Sequence, residues 1–184
     1  PVCTEVPVPD DFDYEKWTGP APLHPYCPER VTNNSSWFQY DYSIGFLGGW
    51  GAHPLDVMIW AMKEQMSGKY TCEGKGKFWE AGGMYNNIRA WNINCEYESG
   101  VKLHFVDTDF AQESNMLHYR KTKEGNGTTF FGSKGWISLS RASVESNIPE
   151  IHEKLNELPK SDRGFAQMFV DVIKGTIPES NPLE

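Results

Sequence analysis

The chain has 184 residues, a formal net charge of −8 at pH 7 and 14% aromatic residues. That length suits one domain, or one domain with an arm, able to bury a sizeable core. The acidic balance and the dispersed basic residues exclude a nucleic-acid groove, and no apolar run approaches the ~18 residues of a membrane span.

The N-terminal part is punctuated by Pro1, Pro7, Pro9, Pro20, Pro22, Pro25 and Pro28. Proline at this density rules out a long helix or a central strand. Residues 1–42 therefore read as an extended Pro/aromatic-rich arm, and residues 43–184 as an α/β domain. Within the arm, Tyr26-Cys27-Pro28-Glu29-Arg30 can present a ring and a guanidinium to a polar ligand. The alternative is a loop pinned by stacking and an ion pair. The run Trp37, Phe38, Tyr40 and Tyr42 fits either a core or a sugar platform, since aromatics with a polar tip suit amphipathic ligands.

Next comes a glycine-dense loop, Gly45-Phe46-Leu47-Gly48-Gly49-Trp50-Gly51-Ala52, which leads into His53-Pro54-Leu55-Asp56. Proline is favoured at the first helical position, so the spacing predicts a helix with His53 as N-cap. Asp56 then falls in the first turn, able to reach back to the His53 backbone N–H. The positive end of the helix dipole disfavours imidazolium, which makes His53 a candidate proton acceptor. Leu55, Met58, Ile59 and Met62 follow at the spacing of one buried face, and Gly68 is a candidate stop. The glycines permit a ligand to approach the backbone closely, or merely make the turn.

Residues 69–86 read as irregular. Gly74-Lys75-Gly76 lacks the spacing, strand and helix of a phosphate loop. Alternation then predicts a hairpin over residues 88–106, with Arg89, Trp91, Ile93, Cys95 and Tyr97 on one face and Asn92 and Asn94 on the other. Met116–Thr122 reads as a third strand, and Thr128–Phe131 with Trp136–Ser140 as a second hairpin. After a polar stretch, Phe165, Met168, Phe169, Val172 and Ile173 carry a helical period, with Asp162 as cap and Gly175 as stop. The expected architecture is α+β: a large, mostly antiparallel sheet with helices on one face. Its open face is solvated or covered by a partner.

Cys3, Cys27, Cys72 and Cys95 form no CxxC pair, and the scattered His24, His53, His104, His118 and His152 form no metal cluster. Free thiols are the simplest reading; an even count also permits disulfides.

Two segments together resemble a known family. Trp17-Thr18-Gly19-Pro20-Ala21-Pro22 with Pro25-Tyr26-Cys27-Pro28-Glu29-Arg30 resembles the arm motif of glucose–fructose oxidoreductase/inositol dehydrogenase/MocA-type (Gfo/Idh/MocA) proteins. Gly51-Ala52-His53-Pro54-Leu55-Asp56 resembles their Gly-x-His-x-x-Asp motif. The later hairpins and the last helix extend the likeness over nearly the whole chain. The resemblance implies a C-terminal substrate domain whose N-terminal Rossmann domain, with the Gly-x-Gly-x-x-Gly fingerprint and the catalytic lysine, is absent from this chain. The ends, Pro1-Val2-Cys3 and Asn181-Pro182-Leu183-Glu184, read as cut from a longer protein. It further implies NAD or NADP bound mainly by that other domain, a sugar-like or cyclitol substrate, and His53 as catalytic acid/base. Tyr26, Arg30, Trp37, Trp50 and Asp56 are the implied substrate-side residues. A homo-oligomer through the open sheet face is expected, and members with this arm are frequently exported. Many members carry an aspartate four residues before the histidine; Gly49 stands there in this chain. Two alternatives follow, an NAD-dependent glycosidase-type relative and a non-catalytic carbohydrate-binding or assembly domain.

Overall fold

The structure is a computed structural model that describes residues 1–32, 34–113, 125–140, 143–157 and 165–176. The chain divides into two compact units, Pro1–Asn147 and Ile148–Glu184.

In the first unit the arm is less extended than its prolines suggest. It contains α1 (Tyr14–Thr18), α2 (Pro28–Val31) and a short 3₁₀ turn over Ser35–Phe38. The Asp13 side chain caps α1 by accepting from the Lys16 N–H at 3.0 Å, and Pro28 opens α2, where its missing N–H costs nothing. These pieces enclose a small aromatic core. Tyr14 lies 5.1 Å from Tyr26 and 5.8 Å from Trp17 between ring centroids, and Trp17 lies 5.2 Å from Tyr42.

The glycine loop is itself helical. It forms α3 (Phe46–Gly49), which passes through Trp50 and Gly51, both in right-handed helical conformation, into α4 (Ala52–Met62). The regular helix ends at Met62, and a turn carries the chain to Gly68, whose φ of +94° suits glycine. Of the predicted buried face, Leu55, Met58 and Met62 are covered, whereas Ile59 is exposed.

Among the described residues, two antiparallel three-stranded sheets stand where one large sheet was expected. The first has the order β1 (Tyr70–Phe78), β2 (Ile88–Tyr97), β3 (Lys102–Val106). Cys72 faces Cys95, which faces Leu103; Glu73 faces Asn94, which faces His104. One face of this sheet thus carries Trp91, Cys95, Leu103 and Phe105, and the other is polar. Helix α4 runs antiparallel to β3 on the apolar face: Phe105 meets Gly51 at its start, and Ser99 Oγ donates to the Gln65 carbonyl beyond its end. After β3 comes α5 (Thr108–Glu113), and the second sheet follows as β4 (Thr128–Gly132), β5 (Gly135–Leu139) and β6 (Val144–Ser146). The second unit contains α6 (Pro149–Glu157) and α7 (Phe165–Ile173). The stop of α7 is a Schellman arrangement: Gly175, at φ +67°, donates to the Val172 carbonyl, and Thr176 donates to that of Asp171.

Three further expectations about this part of the chain differ from the structure. The irregular reading of residues 69–86 conceals β1. The four cysteines are not free thiols: Cys3 is bonded to Cys27 and Cys72 to Cys95. The polar stretch after residue 140 contains β6 and α6. The strand expected over Met116–Thr122, with His118, and the cap Asp162 lie outside the described residues.

The Cys3–Cys27 bridge ties the chain terminus to fully buried Cys27, beside Tyr26. A cross-link of that kind removes entropy from the unfolded chain. Replacing both cysteines by alanine is expected to lower unfolding stability by about 2–4 kcal/mol, read as a lower urea midpoint.

Candidate active site

The site is built on the α3–α4 joint. Gly45 precedes α3 at φ +73°, and a Cβ there would meet the Asn87 amide nitrogen at 2.9 Å. Asn87 is fully buried. Its amide donates to the Trp37 carbonyl and, at 3.2 Å, to the Ser43 carbonyl. Neighbouring Asn86 accepts from the Tyr40 N–H at 2.7 Å and donates its own N–H to the Phe38 carbonyl at 3.0 Å. This asparagine pair latches the end of the arm to the loop before α3. It sets Trp37 against the joint, 5.5 Å from Phe46 between ring centroids.

Trp37 occupies the space a side chain at position 49 would need. A Cβ on Gly49 would lie 1.9 Å from Trp37 Cζ3. On the underside, a Cβ on Gly51 would lie 2.6 Å from Phe105 Cζ and 2.1 Å from the Leu47 carbonyl oxygen. The glycines therefore admit the protein's own aromatic rings. That answers the alternative of close approach by a ligand, and it tests the fit of a dinucleotide. A pyrophosphate needs an open glycine turn at a helix N-terminus. This turn is filled by Trp37, Phe105 and Ile44, so it does not cradle those phosphates.

His53 is exposed. It lies inside the first turn of α4 and is not the N-cap: Pro54 is the third helical residue, and the His53 N–H donates to the Trp50 carbonyl at 3.2 Å. That bond excludes the expected capping box with Asp56, which is also exposed. The ring of Trp50 stands edge-on to the imidazole, with centroids 5.5 Å apart. Thr128 Oγ1 donates to the Pro54 carbonyl at 2.6 Å and holds β4 against the same turn.

Tyr26 and Arg30 are placed inside the arm. Tyr26 is buried in the aromatic core. Arg30, also buried, donates through Nη1 to Gln39 Oε1 at 2.6 Å and through Nε to the Pro25 carbonyl at 3.3 Å. Gln39 returns a bond from Nε2 to the Arg30 carbonyl at 3.1 Å. The pinned-loop alternative thus holds in its stacking, with a glutamine where an acidic partner was expected. The structure groups Trp37, Trp50 and His53 around one joint. Sequence reasoning overlooked Gln39, Asn86, Asn87 and Thr128, because a lone amide or hydroxyl carries no periodic signal.

The polar face of the first sheet forms a shallow concavity of about 500 Å³ lined by Thr71, Glu73, Asn94, Glu96, Lys102 and His104. His104 Nε2 is bonded to Asn92 Oδ1 at 2.7 Å, and desolvation lowers its pKa.

Residues 2–177 match the family described as the oxidoreductase family, C-terminal alpha/beta domain. This chain belongs to the Gfo/Idh/MocA oxidoreductases, as their C-terminal domain. No curated protein and no solved structure matches it. A C-terminal domain implies an N-terminal partner domain. In this family the cofactor, NAD or NADP, is held by that partner, which agrees with the filled glycine turn.

Two expectations test the geometry. Gly49→Ala should force Trp37 from its seat and destabilise the domain by about 1–3 kcal/mol. Combining it with Trp37→Ala should give a loss clearly smaller than the sum of the two single losses, measured by denaturant unfolding as a double-mutant cycle. For His104, a lowered folded pKa means that the unfolded chain binds more protons below its ordinary value of about 6.5. The stability from the neutral ring is complete above that pH and is lost as pH falls through the folded pKa. His104→Asn should flatten this acid limb in a pH series of thermal midpoints.

Proposed function

We propose that this domain forms the substrate side of an NAD(P)-dependent oxidoreductase acting on a sugar or cyclitol hydroxyl, with His53 as the general base. The observation that carries the reading is the exposure of His53 at the α3–α4 joint, on a side of α4 turned away from Leu55, Met58 and Met62. A dehydrogenase of two domains needs its base facing a space that the other domain can roof. The nicotinamide held by that domain supplies the hydride acceptor. His53 takes the hydroxyl proton as the carbinol carbon is oxidised. Such general-base help contributes roughly 10²–10⁴-fold to rate. Trp50, edge-on to the imidazole, restricts its orientation and offers an apolar wall to a sugar ring. Asp56, exposed one helical turn further along α4, supplies a hydrogen-bond acceptor for substrate hydroxyls. Trp37 acts from beneath Gly49 by fixing the joint, and Tyr26 and Arg30 act by holding the arm that carries Trp37.

One observation favours a second reading. Trp37 fills the space where the family's aspartate would project, so His53 lacks the carboxylate partner of simple alcohol dehydrogenation. A glycosidase-type relative, or a carbohydrate-binding domain without catalysis, is consistent with that filled position.

In the intact protein, His53→Ala should lower kcat/KM for a sugar hydroxyl by roughly 10²–10⁴-fold, with an unchanged thermal midpoint because the side chain is exposed. Unchanged turnover in that variant would remove His53 from the chemistry and leave the binding-domain reading.

A further inference from the structure

Three hydroxyl groups of the arm are buried without a hydrogen-bond partner among the described residues: those of Tyr14, Thr18 and Tyr42. Tyr14 is 6% exposed and Thr18 4%. The two stand at i and i+4 of α1, so they share one face of that helix. Tyr42 comes from the other end of the arm and packs on Trp17 of the same helix. Buried hydroxyls nearly always find a partner, and three left without one in a single small core call for an explanation. Arg30 bears on the same point. It is 9% exposed and forms no ion pair with an acidic side chain among the described residues. Its Nη1 and Nε donate to the neutral oxygens of Gln39 and Pro25, which orient the guanidinium without balancing its charge. A buried charge is stable when it is paired. Arg30, Tyr42 and Thr18 all act on the Tyr14 phenol, and the Thr18 hydroxyl does so without closing a hydrogen bond to it. Burial raises the pKa of that phenol against the opposing effect of Arg30. Tyr14 is therefore an O–H donor at neutral pH and not a phenolate that could neutralise the guanidinium.

We propose that Tyr14, Thr18, Tyr42 and Arg30 form a buried binding site for a small inorganic anion of the size of chloride. This inference is independent of the activity proposed for His53. Each hydroxyl can turn its hydrogen to the ion, and the guanidinium supplies the balancing charge. The rings of Trp17 and Tyr26 beside Tyr14 make the surroundings apolar, where such bonds are strong. The three hydroxyl oxygens are shut off from solvent, so the occupant must be small. With Nε engaged on Pro25, the guanidinium lacks the complete side-on fork that grips a carboxylate or phosphate by two parallel bonds, which favours a single-atom anion. Water would satisfy the hydroxyls but leave Arg30 unpaired, and a cation is repelled by it. The ion would join α1, α2 and the segment ending at Tyr42, and so brace the arm that carries Trp37. In a chain of net charge −8, a stabilising response to a particular anion reports such a site and not general attraction to the surface.

Thermal unfolding of the intact protein at constant ionic strength tests this, with sodium gluconate, whose anion is too large for the site, replaced stepwise by sodium chloride. The midpoint should rise with chloride by about 2–4 °C and then saturate. Tyr14→Phe/Thr18→Val removes two donors, keeps the shape of the core and should abolish the chloride response. Arg30→Met should abolish it too; if that variant fails to fold by circular dichroism, the Tyr14→Phe/Thr18→Val variant decides. In crystals of the protein grown with bromide, an anomalous peak should lie among Tyr14, Thr18, Tyr42 and Arg30. A midpoint indifferent to the exchange of gluconate for chloride, a chloride response that survives Tyr14→Phe/Thr18→Val, or a water without anomalous signal at that position would each overturn the proposal.

Discussion

The contact on which the site depends is the indole of Trp37 against the bare backbone of Gly49. It makes two elements far apart in sequence into one surface. The arm can reach the α3–α4 joint only because position 49 has no side chain. The joint can hold His53 at the surface only because the arm braces it from one side and Phe105 from the other. Asn87 sets this contact: one buried amide bonds the carbonyls of Trp37 and Ser43, fixing the separation of the arm from the helix entry. A buried amide that bridges two backbone segments is expensive to replace, since an apolar substitute leaves both carbonyls without a donor.

That constraint also shapes the chemistry. A carboxylate at position 49 would align and charge-stabilise the histidine four residues on. Here the position is committed to packing, and the exposed carboxylate nearest in sequence to His53 is Asp56, one helical turn later. His53 is thus flanked by the Trp50 ring, and a proton taken up in the role proposed for it would pass on without a fixed acid behind it. This is the physical reason why proton transfer and carbohydrate binding without catalysis remain the two readings of one surface.

Local regularity was legible in the sequence. The alternation from Ile88 to Val106 and its Gly100 turn are β2 and β3, the Gly132–Gly135 turn joins β4 to β5, and Gly175 ends α7. What escaped depends on partners across space. In β1, glycines occupy the places where alternation calls for apolar residues, because Ile93 and Ile88 of the next strand lean over them. A Cβ on Gly76 would lie 2.7 Å from Ile88 Cδ1. Large on one strand and small on its neighbour is a two-strand pattern, invisible along either strand alone. The pairing of four cysteines is likewise a property of the fold. So is the helix entry at His53: the rule that places proline first in a helix fails when a preceding helical turn runs straight into the next, as it does through Trp50 and Gly51. Of the site, the exposed histidine beside Trp50 was readable. The inward turn of Arg30 was not, because its partner is a glutamine and not an acid.

The two disulfides bear on both regions. One closes the N-terminal segment onto Cys27, in the arm that carries Trp37; the other spans β1 and β2 at Cys72 and Cys95. Each stiffens a part of the molecule whose own core is small: a set of short helical turns in the first case and an exposed edge strand in the second. Stapling is the usual answer where burial is insufficient. In β1 the bridge also governs register. With Cys72 tied to Cys95, the strand cannot slip against β2, so Glu73 and Lys75 keep one face and Tyr70 and Phe78 the other. An edge that is glycine-rich and solvent-exposed would otherwise be free to flip its faces. The cross-link turns it into a fixed pattern of charge and aromatic ring, with each side chain held to one face of the sheet.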